Sequence, residues 1–181
     1  MKRTEAKYFL AIIPSEPVQS QVQEIKEYFR DTYGSKGALR SPAHITLHMP
    51  FRWKEKKEGK LFDLLAQATK ESKFELELNG YGAFSPKTMF IKNQQSQELI
   101  DFQKRLADFA KRHMNLFNAT HNRGYHPHMT VAFRDLKKDA FLEAWDEFKE
   151  KDFNERLIVD SFWLLKHDGT RWNAYKEFQF S

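Results

Sequence analysis

The chain contains no cysteine. This absence excludes disulfide bonds, a thiol nucleophile and zinc sites built on cysteine ligands, and it fits a reducing compartment such as the cytoplasm. Glycine and proline are also few, at 7 and 6 of 181 residues. No stretch is rich in Gly, Ser or Pro, so no flexible linker divides the chain. We therefore expect residues 1–181 to form a single domain, or two small lobes that share a cleft.

Long apolar runs are missing as well. The N terminus is basic and leads into residues 8–13 (YFLAII), a pattern that can imitate a secretion signal. That run is short and stops at Pro14, so we interpret it as a buried first strand. No segment approaches the length of a membrane span, and we expect no membrane partner and a cytoplasmic location.

The overall composition is that of a soluble globular protein, with 40% hydrophobic and 30% charged residues. The formal net charge is +5 and the isoelectric point is about 9.3. Because the basic residues are spread along the chain, this charge indicates at most a mild preference for phosphate-bearing ligands. A solvated surface with more lysine than glutamate explains it equally well.

One short pattern occurs twice, in residues 41–50 (SPAHITLHMP) and 125–133 (YHPHMTVAF). Both copies contain His, an apolar residue, Thr and a second apolar residue in that order, and a proline precedes each. Alternating apolar positions after a proline predict a β-strand that begins at a turn. A second match makes coincidence far less plausible than a single one.

Each copy is expected to present an imidazole and a hydroxyl on one face. Side chains alternate across a strand, so His44 and Thr46 share a face, as do His128 and Thr130, while the intervening residues point into the core. Two histidines with pKa values near 6.5 can serve as acid and base across a cleft. A threonine hydroxyl can donate to a phosphoryl oxygen between them.

The paired tetrapeptides at residues 44–47 (HITL) and 128–131 (HMTV) resemble the signature of the 2H phosphoesterase superfamily. Within it they are similar to the bacterial 2′-5′ RNA ligase-like or cyclic phosphodiesterase branch. The resemblance implies a bilobal α+β fold with pseudo-two-fold symmetry: two mainly antiparallel sheets, helices on their outer faces, and a cleft between them. It also implies catalysis without metal or other cofactor. The implied partners are RNA ends or small nucleotides carrying a 2′,3′-cyclic phosphate or a 2′-5′ linkage.

The predicted order of strands and helices is compatible with an internal duplication of the chain. The patterns predict strand, helix, motif strand, helix and hairpin, followed by helix, motif strand, helix and hairpin. In the last hairpin we expect residues 157–165 to form one strand and residues 172–180 the other. His167 lies beside the turn between them and is expected to be exposed and inert.

Further residues are candidates for substrate binding. Strand alternation places His48 with the first motif and His126 with the second, so as many as four imidazoles are expected at one cleft. Arg134 follows the second motif, where the resemblance implies a basic substrate anchor. Phe51 and Trp53 are candidates for stacking on a base.

Two alternatives stay open. Four clustered imidazoles are suited to zinc, which favours a metal-dependent hydrolase or a metal-binding protein. Against this, a metal site does not need the matched threonines, and no carboxylate accompanies the histidines, so we expect no metal. The other alternative is a module that binds RNA ends or nucleotides without turnover. The sequence leaves open which histidine is the base, whether hydrolysis or ligation is favoured, and the oligomeric state.

Overall fold

The computed structural model describes residues 4–84, 86–118 and 124–181. Its strands are β1 (Glu5–Ile12), β2 (Ile45–Lys54), β3 (Phe74–Phe84), β4 (Thr88–Asn93), β5 (His128–Ala132), β6 (Asn154–Val159), β7 (Ser161–His167) and β8 (Trp172–Gln179). Its helices are α1 (Val18–Tyr33), α2 (Glu58–Ala66), α3 (Gln97–Met114) and α4 (Lys138–Phe148). Short 3₁₀ helices span Gly37–Arg40 and Glu55–Lys57.

The two longest helices have clear local causes. Helix α3 begins at Ser96, whose hydroxyl accepts a hydrogen bond from the backbone N–H of Leu99, as a good N-cap residue does. Helix α1 ends at Gly34 with φ 70°, a left-handed conformation that glycine adopts without steric cost. Both helices are amphipathic and bury their apolar faces against the sheets.

The strands form two four-stranded antiparallel sheets, with orders β2-β1-β7-β8 and β5-β4-β3-β6. This arrangement confirms the expected α+β class and the two-sheet fold. The motif strands β2 and β5 each lie at the edge of their sheet. The edge of one sheet faces the edge of the other at this point, and residues of β2 contact residues of β5.

One hydrophobic core runs through both halves of the molecule. Helix α1 contacts β5 of the second sheet, and helix α3 contacts β2 of the first. Fully buried side chains of both sheets, such as Leu47 and Val131, belong to the same cluster. These shared contacts fix the two motif strands relative to each other.

The prediction of one continuous strand over residues 157–165 is wrong in one respect. The run divides at Asp160, which is exposed, and its two parts join different sheets as β6 and β7. Strand β6 pairs with β3, whereas β7 pairs with β1 and β8. Both parts are apolar, so hydrophobic pattern alone does not reveal the break. The hairpin between β7 and β8 is confirmed.

Helices able to span a membrane are not found in the described part of the chain, because none is both long enough and apolar enough.

Candidate active site

The first motif is placed by the alternation of strand β2. Ile45 and Leu47 are buried in the core, and His44 and Thr46 consequently face the cleft between the two motif strands. The segment that precedes the strand is fixed by helix α1. Gln19 makes hydrogen bonds with both backbone groups of Ala43, at 2.7 and 3.2 Å.

The second motif repeats this arrangement on strand β5. Met129 and Val131 are buried, while His128 and Thr130 line the same cleft. The cavity has a volume of about 510 Å³. The structure thus brings together all four residues expected to be catalytic from the sequence.

Each motif histidine is oriented by a carbonyl group two residues earlier in the chain. Nδ1 of His44 lies 2.8 Å from the carbonyl oxygen of Pro42, and Nδ1 of His128 lies 2.7 Å from that of His126. A carbonyl oxygen can only accept, so each Nδ1 carries the hydrogen. In a neutral ring this leaves Nε2 as the atom able to take up a proton.

Burial keeps both imidazoles neutral at pH 7. It lowers the pKa of His44 to about 4. The hydrogen bond to the Pro42 carbonyl opposes this shift, and the nearby charge of Lys26 adds to it. Burial also lowers the pKa of His128. The hydrogen bond to the His126 carbonyl opposes this shift, and the charge of the His126 imidazole adds to it. Lys26 is itself buried, and its ammonium group donates to the carbonyl oxygen of Ser41 at 2.9 Å.

Aromatic rings pack beside both histidines. The ring of Phe9 lies 5.0 Å from His44, and Trp172 contacts Phe9 edge-on at 4.8 Å. Phe84, whose side chain is 45% exposed, lies 5.1 Å from His128. These rings were not predicted from the sequence, because they come from β1, from the start of β8 and from the end of β3.

His167 is also placed differently from its expectation. It lines the cleft at the end of β7, and its ring lies 4.8 Å from that of Trp172. Its Nδ1 accepts a hydrogen bond from the backbone N–H of Gly169, which fixes the tautomer with the hydrogen on Nε2. The only signal in the sequence was its position beside the turn, which does not show that the hairpin folds towards the cleft.

The second half of the molecule supplies hydrogen bonds to the free edge of β2. The hydroxyl of Tyr125 donates to the carbonyl oxygen of Thr46 at 2.7 Å, and the Gln103 amide donates to that of Leu47 at 3.1 Å. The backbone N–H of Met49 donates to Asn118 at 3.0 Å. These contacts satisfy backbone groups that an edge strand otherwise leaves unpaired.

Arg134 and Arg40 both line the cleft. Arg134 adopts a positive φ of 68°, and its guanidinium lies 4.8 Å from the centre of the Phe133 ring. Arg40 ends the 3₁₀ helix that precedes the first motif. The structure therefore places Arg134 where a substrate anchor was expected.

His48 does not face the cleft, and this expectation is corrected. It is 1% exposed, its ring packs edge-on against Phe51, and Nδ1 lies 2.8 Å from the carbonyl oxygen of Met49. The reason is a shift in register between β1 and β2 at this position. Such a bulge reverses the alternation that the sequence pattern assumes.

The other aromatic and histidine candidates lie off the cleft. Phe51 is buried and stacks on Tyr8, and the Trp53 indole donates to the carbonyl oxygen of Lys57. His126 is exposed and does not line the cleft, but its backbone carbonyl oxygen contacts Nδ1 of His128.

A four-histidine cluster is therefore not formed. Within residues 4–84, 86–118 and 124–181, no three side chains of His, Cys, Asp or Glu lie close enough together to hold a metal ion.

A family model agrees with this geometry. The model described as the 2′-5′ RNA ligase superfamily matches residues 14–171, which include both motifs. The chain belongs to this superfamily. The resemblance to 2H phosphoesterases is thereby confirmed, and membership supports a phosphoesterase or RNA ligase-like activity.

One curated relative of this chain is the Oceanobacillus iheyensis protein named "Putative phosphoesterase OB1230". It is 28% identical over 176 residues, covering 95% of this chain and 96% of the relative.

Solved structures show the same fold. Escherichia coli LigT complexed with 3′-AMP matches with a TM-score of 0.68 and 22% identity, over 98% of this chain and 99% of LigT. The protein TT0787 of Thermus thermophilus matches with a TM-score of 0.66 and 17% identity, over 96% of this chain and 97% of that protein.

Proposed function

We propose that this superfamily member is a metal-independent phosphodiesterase that acts on the 2′,3′-cyclic phosphate ends of RNA or of nucleotides. The observation that supports this most strongly is the matched placement of the two motifs. Both histidines line one cleft, each has Nδ1 fixed on a backbone carbonyl, and each has a threonine two residues along the same strand. A pair of equivalent proton-exchanging groups suits a reaction that needs one acid and one base.

In the proposed reaction, Nε2 of one motif histidine takes a proton from water, and the water oxygen attacks phosphorus. The bond from phosphorus to the 3′ oxygen breaks, and the second histidine gives that oxygen a proton. The product carries a 2′-phosphate and a 3′-hydroxyl group. Thr46 and Thr130 donate to the non-bridging oxygens and stabilise the charge that develops there.

Ligation follows from the same groups if a 5′-hydroxyl end replaces water as nucleophile. The base then removes the proton of that hydroxyl, and a 2′-5′ linkage forms as the 3′ oxygen leaves. Hydrolysis is the direction favoured in dilute substrate, since water is abundant in an open cleft.

The positive groups of the cleft suit an anionic substrate. Arg134 and Arg40 are positioned to stabilise negative charge on the phosphate. A bound phosphate also raises the pKa of the nearby imidazoles, which makes protonation of one of them easier in the complex than in the free protein.

Ligands of LigT are compatible with a nucleotide substrate here. That protein has been crystallised in complexes with 3′-AMP, ATP, NADP⁺ and phosphate. The exposed ring of Phe84 beside His128 offers a surface on which a base can stack.

The decisive test is turnover of an RNA oligonucleotide that ends in a 2′,3′-cyclic phosphate, measured with excess chelator. The native protein is compared with His44→Ala and His128→Ala, and with His113→Ala as a control at an exposed histidine on α3. We expect conversion to a 2′-phosphate end in the native protein and the control. Both motif variants should lose at least about 10³-fold in kcat.

Three results would contradict the proposal. Turnover that chelator abolishes would indicate a metal-dependent hydrolase. Binding of the oligonucleotide without turnover would indicate a module that recognises RNA ends. Retained turnover in either motif variant would remove the two-histidine mechanism.

A further inference from the structure

Asp135 joins the two halves of the molecule at the rim of the cleft. Its carboxylate accepts hydrogen bonds from the Ser35 hydroxyl at 2.8 Å and from the backbone N–H groups of Lys36 and Gly37 at 2.8 and 3.2 Å. These donors precede the first motif, whereas Asp135 follows the second. Burial alone would raise the pKa of Asp135, but the hydrogen bonds together lower it, so the group is an anion at neutral pH. We call these four residues the Asp135 cluster.

The residue before Asp135 adopts a conformation that is costly for an arginine. Arg134 has φ 68°, and the backbone N–H of Asp135 donates to the carbonyl oxygen of Phe133 at 2.9 Å. A three-residue turn with positive φ at its centre is rare and strained. Such a conformation persists only where its surroundings hold it, and the carboxylate of Asp135 is attached directly after it.

The loop at Gly37 also packs closely against the backbone of Phe133. A Cβ atom on Gly37 would clash with the carbonyl oxygen of Phe133 and would lie 3.3 Å from the carboxylate of Asp135. Only glycine at residue 37 therefore allows the loop before the first motif to lie against the turn at Arg134. Arg40, three residues later, also lines the cleft.

We propose that Asp135 is a positioning residue that holds Arg134 in place for the substrate phosphate. The inference rests on the proposed function, because Arg134 is assigned there to the phosphate. Asp135 itself does not touch the substrate. It acts by fixing the turn that carries Arg134 against the 3₁₀ helix that carries Arg40.

A double-mutant cycle tests this role on the cyclic phosphate substrate. We expect Asp135→Ala to lower kcat/KM roughly 10- to 100-fold, mainly through KM, because a displaced arginine binds the phosphate poorly. In an Arg134→Ala background the same substitution should cost less than about twofold, because the group it positions is already gone. A residue that only stabilised the fold would show the same loss in both backgrounds.

Gln21→Ala is the matched control. Gln21 on α1 donates to Glu155 on β6 at 2.7 Å, so it also joins the two halves, but neither residue lines the cleft. This variant should leave kcat and KM unchanged. Asp135→Asn keeps a carbonyl oxygen that can accept, so it should retain part of the lost activity.

Amide hydrogen exchange provides a readout without turnover. Asp135→Ala should speed exchange at Lys36 and Gly37, whereas Gln21→Ala should not. If exchange at both amides is unchanged in Asp135→Ala, the Asp135 cluster does not connect the two halves, and the inference is wrong.

Failure of the proposed function is distinguishable from failure of this inference. If the native protein lacks turnover, the proposed function fails, and the cycle is repeated with binding of adenosine 2′-monophosphate measured by calorimetry. The positioning role is supported if Asp135→Ala weakens binding in the native background but not in the Arg134→Ala background. Equal losses in both backgrounds overturn it, and no binding by the native protein overturns both.

Discussion

The hydroxyl of Tyr125 donates a hydrogen bond to the carbonyl oxygen of Thr46 at 2.7 Å, and so links the beginning of one motif to the middle of the other. Tyr125 precedes His128 by three residues, and Thr46 is one of the two groups assigned to the phosphate. The distance between the motifs is therefore set by a direct contact as well as by the shared core. Burial raises the pKa of Tyr125, so the hydroxyl keeps its hydrogen at neutral pH.

Replacing Tyr125 with phenylalanine should loosen this link. The substitution leaves the Thr46 carbonyl on the free edge of β2 without its donor, which costs about 1–2 kcal/mol in the free energy of unfolding. We also expect kcat/KM to fall up to about tenfold, because the second motif can shift relative to the first. Urea denaturation and steady-state kinetics measure the two effects.

Tyr28→Phe is the corresponding control, since the Tyr28 hydroxyl donates to Glu147 at 2.7 Å in an exposed position away from the cleft. It should cost under about 1 kcal/mol and leave kcat/KM unchanged. Equal effects of the two substitutions on kcat/KM would contradict a specific role for Tyr125.

The pH dependence of kcat/KM should reflect both depressed pKa values. The reaction needs one motif histidine neutral and the other protonated, which gives a bell-shaped profile whichever is the base. One limb should lie near pH 4, where His44 titrates, and the other below pH 6.5, because the pKa of His128 is lowered from that value. In the profile of kcat the upper limb should move to higher pH, because the bound phosphate raises imidazole pKa values. A free-enzyme optimum above pH 7 would contradict these environments.

The motif residues were predictable because strand alternation is a local rule. Ile45 and Leu47 reach the core as the pattern requires, and this places His44 and Thr46 at the cleft. The same rule is wrong for His48, because a change of register against β1 interrupts the alternation, and nothing in the sequence marks that bulge.

The walls of the cleft were not predictable in this way. Phe84, His167 and Trp172 reach it through hairpins, whose direction depends on how the two sheets pack. Asp135 likewise gains its role from a loop about 100 residues earlier, and the spacing of residues does not encode such a contact.

Substituting His48 with leucine should separate core packing from catalysis. Nε2 of His48 is buried and has no hydrogen-bond partner among the described residues, so leucine removes an unsatisfied polar atom. Leucine also loses the contact of Nδ1 with the Met49 carbonyl oxygen, which offsets part of this gain. We expect kcat/KM within about twofold of the native value and a free energy of unfolding within about 1 kcal/mol of it. A large rise in KM would instead support the substrate contact that strand alternation predicts.

Acid should destabilise the fold partly through His44. Its pKa is near 6.5 in the unfolded chain and about 4 in the folded protein, so the unfolded state binds more protons between these values. The stability that the neutral ring contributes is complete above pH 6.5 and is lost as the pH falls towards 4, by about 3 kcal/mol. Urea denaturation at pH 7 and pH 4 should show this loss reduced in His44→Gln and unchanged in His113→Gln. Equal losses in all three proteins would contradict it.

The strained turn at Arg134 predicts a difference between two substitutions that remove the same side chain. Alanine keeps the cost of a positive φ, whereas glycine adopts φ 68° freely, so Arg134→Gly should be about 1 kcal/mol more stable than Arg134→Ala. Both should raise KM to a similar extent, because both lack the guanidinium. Urea denaturation and kinetics on the pair test this. If the alanine variant is as stable as the glycine variant, residue 134 does not hold the left-handed conformation in solution, and Asp135 has no strained turn to maintain.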